Sequence, residues 1–363
     1  MAMEGKADKR EVIKFAGAFI AWVIGSGFAT GQEIVQFFAS YAYLSYAVVV
    51  LNLLGFMFLG QRLLITGYRN RDDESFQHFK YFCGDKLGKF YSFLIPITII
   101  LIMSVLISGV GATLSEYFNI NKYMGSALMM TMVLCAYLLG FEKLVRLIST
   151  VGPIIIIFSL LVGVATIATD YHNFTDILKY RAMLGELQAA PHWTISSLLY
   201  LSLNFLSGSS YFSNLGRSAK REKDAIYGAL LGAAAVGLTI GIMNTALLLN
   251  VGHIINLEVP VAHLARNISF LLGNVFSIVL VLGMFSSASA MMWSVCHRFK
   301  KGDKKGNQIF AVLVAILTFI LSLFSFSELM GIFYPLVGYV GIIFIAGIIY
   351  RRTEDKGQEL GKN

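Results

Sequence analysis

Charge is what this chain has least of. Only 14% of its 363 residues are charged, against 56% hydrophobic, where soluble domains carry about 25% charged residues. That balance excludes an ordinary soluble domain. Cysteine is scarce too: Cys83, Cys135 and Cys296 are the only three, which suggests neither a disulfide scaffold nor a metal cluster. Cys135 lies in an apolar run and reads as a small core residue. None of the six histidines falls mid-span, which argues against a His-based metal site. The in-membrane polar residues include no nucleophile–base pair, so an enzyme is not expected. No cleavable signal is expected either, because "MAMEGKADKREVIK" runs straight into a segment too long and too polar for a signal core.

What the chain does have is long apolar runs. Several reach the roughly 20 residues that cross a hydrocarbon core of about 30 Å. "GPIIIIFSLLVGVATIA" does not alternate as a barrel strand would, so the expected class is an all-α integral membrane protein. Ten spans are expected: 12–40, 43–67, 91–117, 123–140, 144–168, 193–215, 224–250, 273–296, 308–326 and 329–350. They form one transmembrane domain over 1–363. With the N-terminus in the cytoplasm, every Lys and Arg except Lys122, Lys179, Arg181 and Arg266 falls on the cytoplasmic side. This is the positive-inside pattern. It places the chain in the cell membrane as a multi-pass protein with both termini cytoplasmic. The net charge of +8 is then topological, the bilayer is the partner, and no nucleic-acid partner is expected. Residues 251–272, "VGHIINLEVPVAHLARNISFLL", mix apolar and polar positions like a surface helix, either a lid over the outer mouth or a solvated connector.

The first span is interrupted. "AWVIGSGFATGQEI" (21–34) places Gly25, Gly27 and Gly31 within seven positions, among Ser26, Thr30, Gln32 and Glu33. Glycine costs a helix about 1 kcal/mol relative to alanine, and Ser and Thr offer the backbone competing bonds. A break inside a bilayer is tolerated only where the freed amides face protein or water. The spacing predicts a discontinuous helix over 21–33 that lines a cavity, with a second half-helix starting near Gly27. The sixth span, "SSLLYLSLNFLSGSSYFSN" (196–214), carries Asn204, Ser207, Gly208, Ser209 and Ser210 mid-run, and a second break is expected there. Breaks in spans one and six of ten match transporters built from two inverted five-span repeats, here about 12–168 and 193–350. Gly228–Gly232 and Gly237–Gly241 of the seventh span read instead as small-residue helix packing. The small face Ser108, Gly109, Gly111 and Ala112 of the third span is expected to pack on the broken first span. Asn52 and Asn244 read as interhelical hydrogen bonders.

"IGSGF" at 24–28 resembles the Gly-x-Gly signature of the amino acid–polyamine–organocation transporter superfamily, which has the LeuT-type fold. The longer "GSGFATGQEIVQFF" (25–38) resembles the YkvI-type membrane proteins of bacteria within it. The resemblance implies a midplane site between spans one and six, with the amides of Gly25, Ser26 and Gly27 holding a substrate carboxylate. "LSLNF" at 201–205 is similar to an L-S-L-G-F stretch of sodium-coupled relatives, which implies that Leu199, Ser202 and Phe205 line the pocket. Asn204 departs from the relatives' glycine. The substrate amine would meet carbonyls and hydroxyls around 202–208, Ser207 and Gly208 included. The fold's common sodium site maps onto Gly283, Ser286 and Ser287 of "GMFSSASAMMW" (283–293), with carbonyls from Ala21 and Ile24. All-oxygen ligation suits a hard cation, while such serines also bond to their own helix. Some proton-coupled relatives use a lysine in span five; here Lys143 and Arg146 stand only at its start, which favours Na+ over H+. Glu33 is the acidic residue placed well inside a span and is a candidate proton site. The resulting expectation is a secondary active transporter of a small amino acid or related zwitterion, needing no cofactor beyond a coupling Na+ or H+. The alternative is a nutrient-sensing receptor of the same fold. Side-chain selectivity and oligomeric state are left open.

Overall fold

The computed structural model describes residues 7–140, 152–299 and 304–360. The first span begins as α1 (Lys9–Val23), capped by the Asp8 side chain, which accepts from the Arg10 amide. It continues as two short pieces, α2 (Ser26–Ala29) and α3 (Gln32–Phe37), and a 3-10 turn over Ala39–Leu44. Then come α4 (Ser45–Arg69), α5 (His78–Phe118), α6 (Lys122–Leu138) and α7 (Gly152–Asp170). A 3-10 stretch over Tyr171–Tyr180 and a short α8 (Arg181–Glu186) lead into α9 (Trp193–Arg217) and α10 (Glu222–Leu249). The chain closes with α11 (Val251–Ile254), α12 (Pro260–Ile268), α13 (Phe270–Arg298), α14 (Lys304–Leu321) and α15 (Phe326–Leu360). No strand occurs among the described residues. Six helical segments are long and apolar enough to cross a membrane, and Lys122–Leu138 and Lys305–Leu321 are shorter apolar helices. The chain is therefore a multi-pass membrane protein. Lys143, Arg146 and the expected start of the fifth span lie outside the described residues.

Burial explains which spans sit inside. Helix α9 packs against α4 and α15, α1 and α4 against α10, and α13 against α5. Between helices in lipid the hydrophobic drive is small, so close fit holds them together. Gly228 faces Phe15, Gly232 faces Phe19 and Gly237 faces Leu53, which is the packing role expected of them. Around Phe19 lies an aromatic knot. Its ring centroid is 4.9 Å from Phe212 and 6.2 Å from Phe56, and Phe205 is 5.5 Å from both of those. Such pairs contribute about 0.5–1.5 kcal/mol each beyond buried area. They bind α1, α4 and α9 into one unit. Asn52 donates to Ser197 Oγ (3.0 Å) and Asn244 to Ser45 Oγ (2.9 Å), the interhelical role read from their isolation.

Two expectations fail here. Cys135 is exposed rather than a core residue; an apolar residue in a membrane helix is as well placed facing lipid as facing protein. The small face of the third span does not pack on the first. Gly109 faces Phe326 and Met284, Gly111 faces Ser126 and Lys122, and Ser108 donates to the Phe324 carbonyl (2.9 Å). A stripe of small residues allows close approach without specifying the partner.

Candidate functional site

The expected break in the first span is present. Helix α1 stops at Val23, Ile24 leaves the helical region, and Gly25 is extended (φ −89°, ψ −174°). The second piece starts at Ser26, one residue before the position read from sequence. Its first helical bond runs from the Ala29 amide to the Gly25 carbonyl, so the amides of Ser26 and Gly27 precede any intrahelical acceptor. Thr30 ends the turn by donating its hydroxyl to the Gly27 carbonyl (2.6 Å). Gly31 follows at φ +90°. A side chain there would be strained in backbone, and its Cβ would lie 3.2 Å from Pro260 and 3.3 Å from the Val261 amide. Everything from Ser26 to Ala42 is buried. The freed peptide groups therefore face protein, as a break in a bilayer requires.

The second expected break is absent. Helix α9 runs unbroken from Trp193 to Arg217. Its polar side chains bond back to their own helix: Asn204 to the Tyr200 carbonyl (2.9 Å), Ser207 to Leu203 (2.6 Å) and Ser209 to Leu206 (2.9 Å). Gly208 is a notch rather than a hinge. A Cβ on it would run into the Trp22 indole, and that indole donates to the Asn204 carbonyl (3.3 Å). Phe205 belongs to the aromatic knot. The carbonyls of Leu199 and Ser202 press on α15 at Gly338 and Gly341. Ser202 Oγ is buried with no hydrogen-bond partner. So Leu199, Ser202, Asn204, Phe205, Ser207 and Gly208 serve helix packing in this conformation and are not gathered around the first-span break.

The eighth-span residues do come to the break. Gly283 lies against Ser26, whose Cβ is 3.3 Å from the point a Gly283 Cβ would occupy, and Ser26 Oγ is 3.4 Å from Ser287 Oγ. Ser286 is buried and Ser287 half-buried. Ile24 is buried and Ala21 is exposed at the last turn of α1, where helix carbonyls lack intrahelical donors. Hydroxyls and carbonyls of this kind are the donor set a hard cation takes, so the residues present fit Na+.

Glu33 stands over the same break. A Cβ on Gly27 would lie 2.7 Å from Glu33 Oε1 and 3.3 Å from the Tyr334 hydroxyl oxygen. Tyr200 donates its hydroxyl to Glu33 Oε2 (3.3 Å). The sequence does not single out these two tyrosines, since each is one of several aromatics in its span.

Residues 257–262 cover one end of the break. The Val261 amide donates to the Thr30 carbonyl (3.0 Å), and Tyr117 donates to the Val259 carbonyl (3.0 Å). Glu116 accepts from the amides of Glu258 (2.6 Å) and Val259 (3.2 Å). Glu258 in turn accepts from the Ser327 amide (2.8 Å), and Gln36 donates to the Ser327 carbonyl (2.8 Å). Residues 257–262 are thus bonded over the break rather than forming a purely solvated connector. Behind this latch lies a cavity of about 230 Å³ lined by Glu116, Lys122 and Glu258 among others. Burial pushes the Glu258 carboxyl above the usual carboxylate range, with the Ser327 amide and Lys122 pulling it partly back. At the opposite end of the break Gly25 is only half-buried, as is Ser287 beside Ser26.

No family model matches the chain. It is 24% identical over 352 residues to the uncharacterized membrane protein YkvI of Bacillus subtilis (strain 168), covering 95% of this chain and 97% of that one. It is 22% identical over 340 residues to the uncharacterized protein YyaD of the same organism, covering 94% and 96%. Among solved structures it is similar to MhsT in complex with L-phenylalanine, with TM-score 0.60 and 16% identity over 94% of this chain and 89% of that one. It is also similar to a mutant of the Eremococcus coleocola manganese transporter, with TM-score 0.56 and 14% identity over 94% and 80%. The chain shares the fold of these two solved proteins.

Proposed function

We propose that this protein is a secondary active transporter that works by alternating access on a small amino acid or related zwitterion. The observation that carries the reading is the buried break at Ile24–Gly31, an energetic cost that a merely structural span would have no reason to bear. The similarity to MhsT, solved with L-phenylalanine, supports this substrate class. In this reading the amides of Gly25, Ser26 and Gly27 receive the substrate carboxylate. Leu199, Ser202, Asn204, Phe205, Ser207 and Gly208 reach the pocket only once α9 shifts against α1. A lid fastened at one end of the break and half-exposed residues at the other correspond to one state of such a cycle.

Transport is coupled to a cation, Na+ ahead of H+. The carbonyls of Ala21 and Ile24 and the oxygens of Gly283, Ser286 and Ser287 would hold the Na+ beside the C-terminal end of α1, where the helix dipole favours positive charge. Bound there, Na+ supplies charge that draws the two halves of the first span and α13 together. The test is uptake of labelled amino acids into membrane vesicles under an inward sodium gradient. Accumulation that stops when choline replaces sodium is expected. Uptake indifferent to choline but abolished by a protonophore refutes the sodium assignment. Binding without counterflow refutes transport in favour of a receptor.

A further inference from the structure

We propose that Glu33 is a cation-exchange site, holding a proton in this closed state and releasing it to water when the ammonium group of an amine substrate takes its place. The proposal rests on the transport reading for its place in a cycle, but the site itself stands on geometry. Glu33 is 8% exposed. Among the described residues its carboxyl has one hydrogen-bond partner, the Tyr200 hydroxyl, and no cation bonds or pairs with it.

Among the described residues, the neighbouring elements offer nothing to balance a negative charge. Facing it are two phenols, Tyr200 from α9 and Tyr334 from α15. Gln32 and Gln36 on its own helix are neutral, and Gln36 is committed to Ser327. Tyr41 of the adjoining 3-10 turn is committed to the Ala190 carbonyl. α2 contributes only Ser26 and Gly27 at this level, and α10 gives Glu33 no hydrogen bond. Moving a carboxylate out of water without a counter-charge costs several kcal/mol even after relaxation. A buried group in that position takes up a proton instead.

The location gives the proton a use. Glu33 Oε1 lies against Gly27 Cα, inside the break, where the absent side chain leaves its carboxyl in touch with the backbone that a ligand would meet. An ammonium arriving there supplies the missing positive charge. The carboxyl O–H bond then breaks, the electron pair stays on oxygen, the proton passes to water, and a carboxylate–ammonium pair forms with no covalent bond to the substrate. A zwitterion would thus be gripped at both ends, carboxylate on the α2 amides and ammonium on Glu33. The ligand class is a primary amine.

The test uses purified full-length protein in weakly buffered solution and two probe sets of matched shape. One set is L-leucine, isoamylamine and 4-methylvalerate; the other is L-phenylalanine, phenethylamine and 3-phenylpropionate. Binding is read by thermal shift, proton release by a pH indicator, and the Glu33 carboxyl by infrared difference against Glu33→Gln. Before any ligand is added, wild type is expected to show a carboxylic-acid band at neutral pH that Glu33→Gln lacks. The amino acid and the amine should erase the band and release a proton, whereas the amine-free acid should do neither. Affinity for the amines should weaken about tenfold per pH unit on the acid side, and lose that dependence in Glu33→Gln. A Glu33 already ionised at neutral pH in the empty protein overturns the proposal. So does an amine that binds with the acid band intact, or binding by the amine-free acid alone. If no probe in either set binds, the substrate class falls here and in the transport reading, while the ligand-free band still decides the proton. Amine binding and proton release without vesicle uptake would sink transport and leave this site standing.

Discussion

One fastening of the segment over the first-span break, the Glu116 carboxylate, can be removed cleanly. Glu116 accepts the amides of Glu258 and Val259. Hydrogen bonds to a charged group contribute about 1.5–3 kcal/mol each. Glu116 is half-buried rather than sealed, so water recovers part of the loss, and Glu116→Ala is expected to weaken the closed lid by about 2–4 kcal/mol. At about 1.4 kcal/mol per tenfold, opening becomes roughly 30- to 700-fold more frequent. Tyr117 and the Thr30 carbonyl still hold Val259 and Val261, so the lid loosens without detaching and the bundle stays folded. Hydrogen exchange read by mass spectrometry over 255–265 measures this directly. Exchange should accelerate there and over 30–38, while α4 and α10 stay protected. Glu116→Gln, which keeps one acceptor oxygen, should fall between. Unchanged protection over 255–265 in Glu116→Ala would show that the carboxylate does not carry the latch.

Further outcomes follow from the same geometry. Gly208→Ala should lower thermal stability by about 1–3 kcal/mol, the usual cost of overpacking, because the new methyl meets the Trp22 ring; an unshifted melting temperature refutes the notch. Gly67→Ala should cost at least as much, since its Cβ would strike the Ser213 backbone, which cannot rotate away. For Glu258 the sign is fixed by its raised folded-state value: the native protein binds that proton more tightly than the unfolded chain does. Its contribution is complete below the ordinary carboxylate range and is lost as pH rises through the raised value. Melting temperature should therefore drift down as pH climbs above that range, and Glu258→Gln should flatten the drift; an identical slope in the variant contradicts this. Ser287→Ala should weaken sodium stimulation of uptake while leaving the melting temperature without sodium unchanged.

The two interruptions show what could be read from sequence and what could not. Both stretches use the same vocabulary of Gly, Ser and an amide. In the first, Gly31 needs a left-handed backbone and Gly25 sits at an extended corner, so local conformational demand is written into the residues themselves. In the sixth span the glycine answers Trp22, far away in the first span, and the serines satisfy their hydroxyls three and four residues back on their own helix. Nothing local separates a glycine that bends a helix from one that admits a neighbour's ring. The surface helix over the break was legible from its mix of apolar and polar positions, which left lid and connector as alternatives. Its fastening was not, because Glu116 and the amides it holds are brought together only by the fold. The eighth-span serines were placed by resemblance, and Ser287 does meet Ser26; the Glu33–Tyr200–Tyr334 group needed three spans to converge before it could be seen.

The break at Ile24–Gly31 is tested most directly by counterflow in proteoliposomes. Vesicles loaded with unlabelled L-leucine or L-phenylalanine are diluted into the labelled compound, for wild type and for Gly27→Val of equal melting temperature. Saturable accumulation by wild type and none by Gly27→Val is the expected result, since a side chain at 27 occupies the space between Glu33 and Tyr334. Equal counterflow by both proteins would contradict a substrate site at the break.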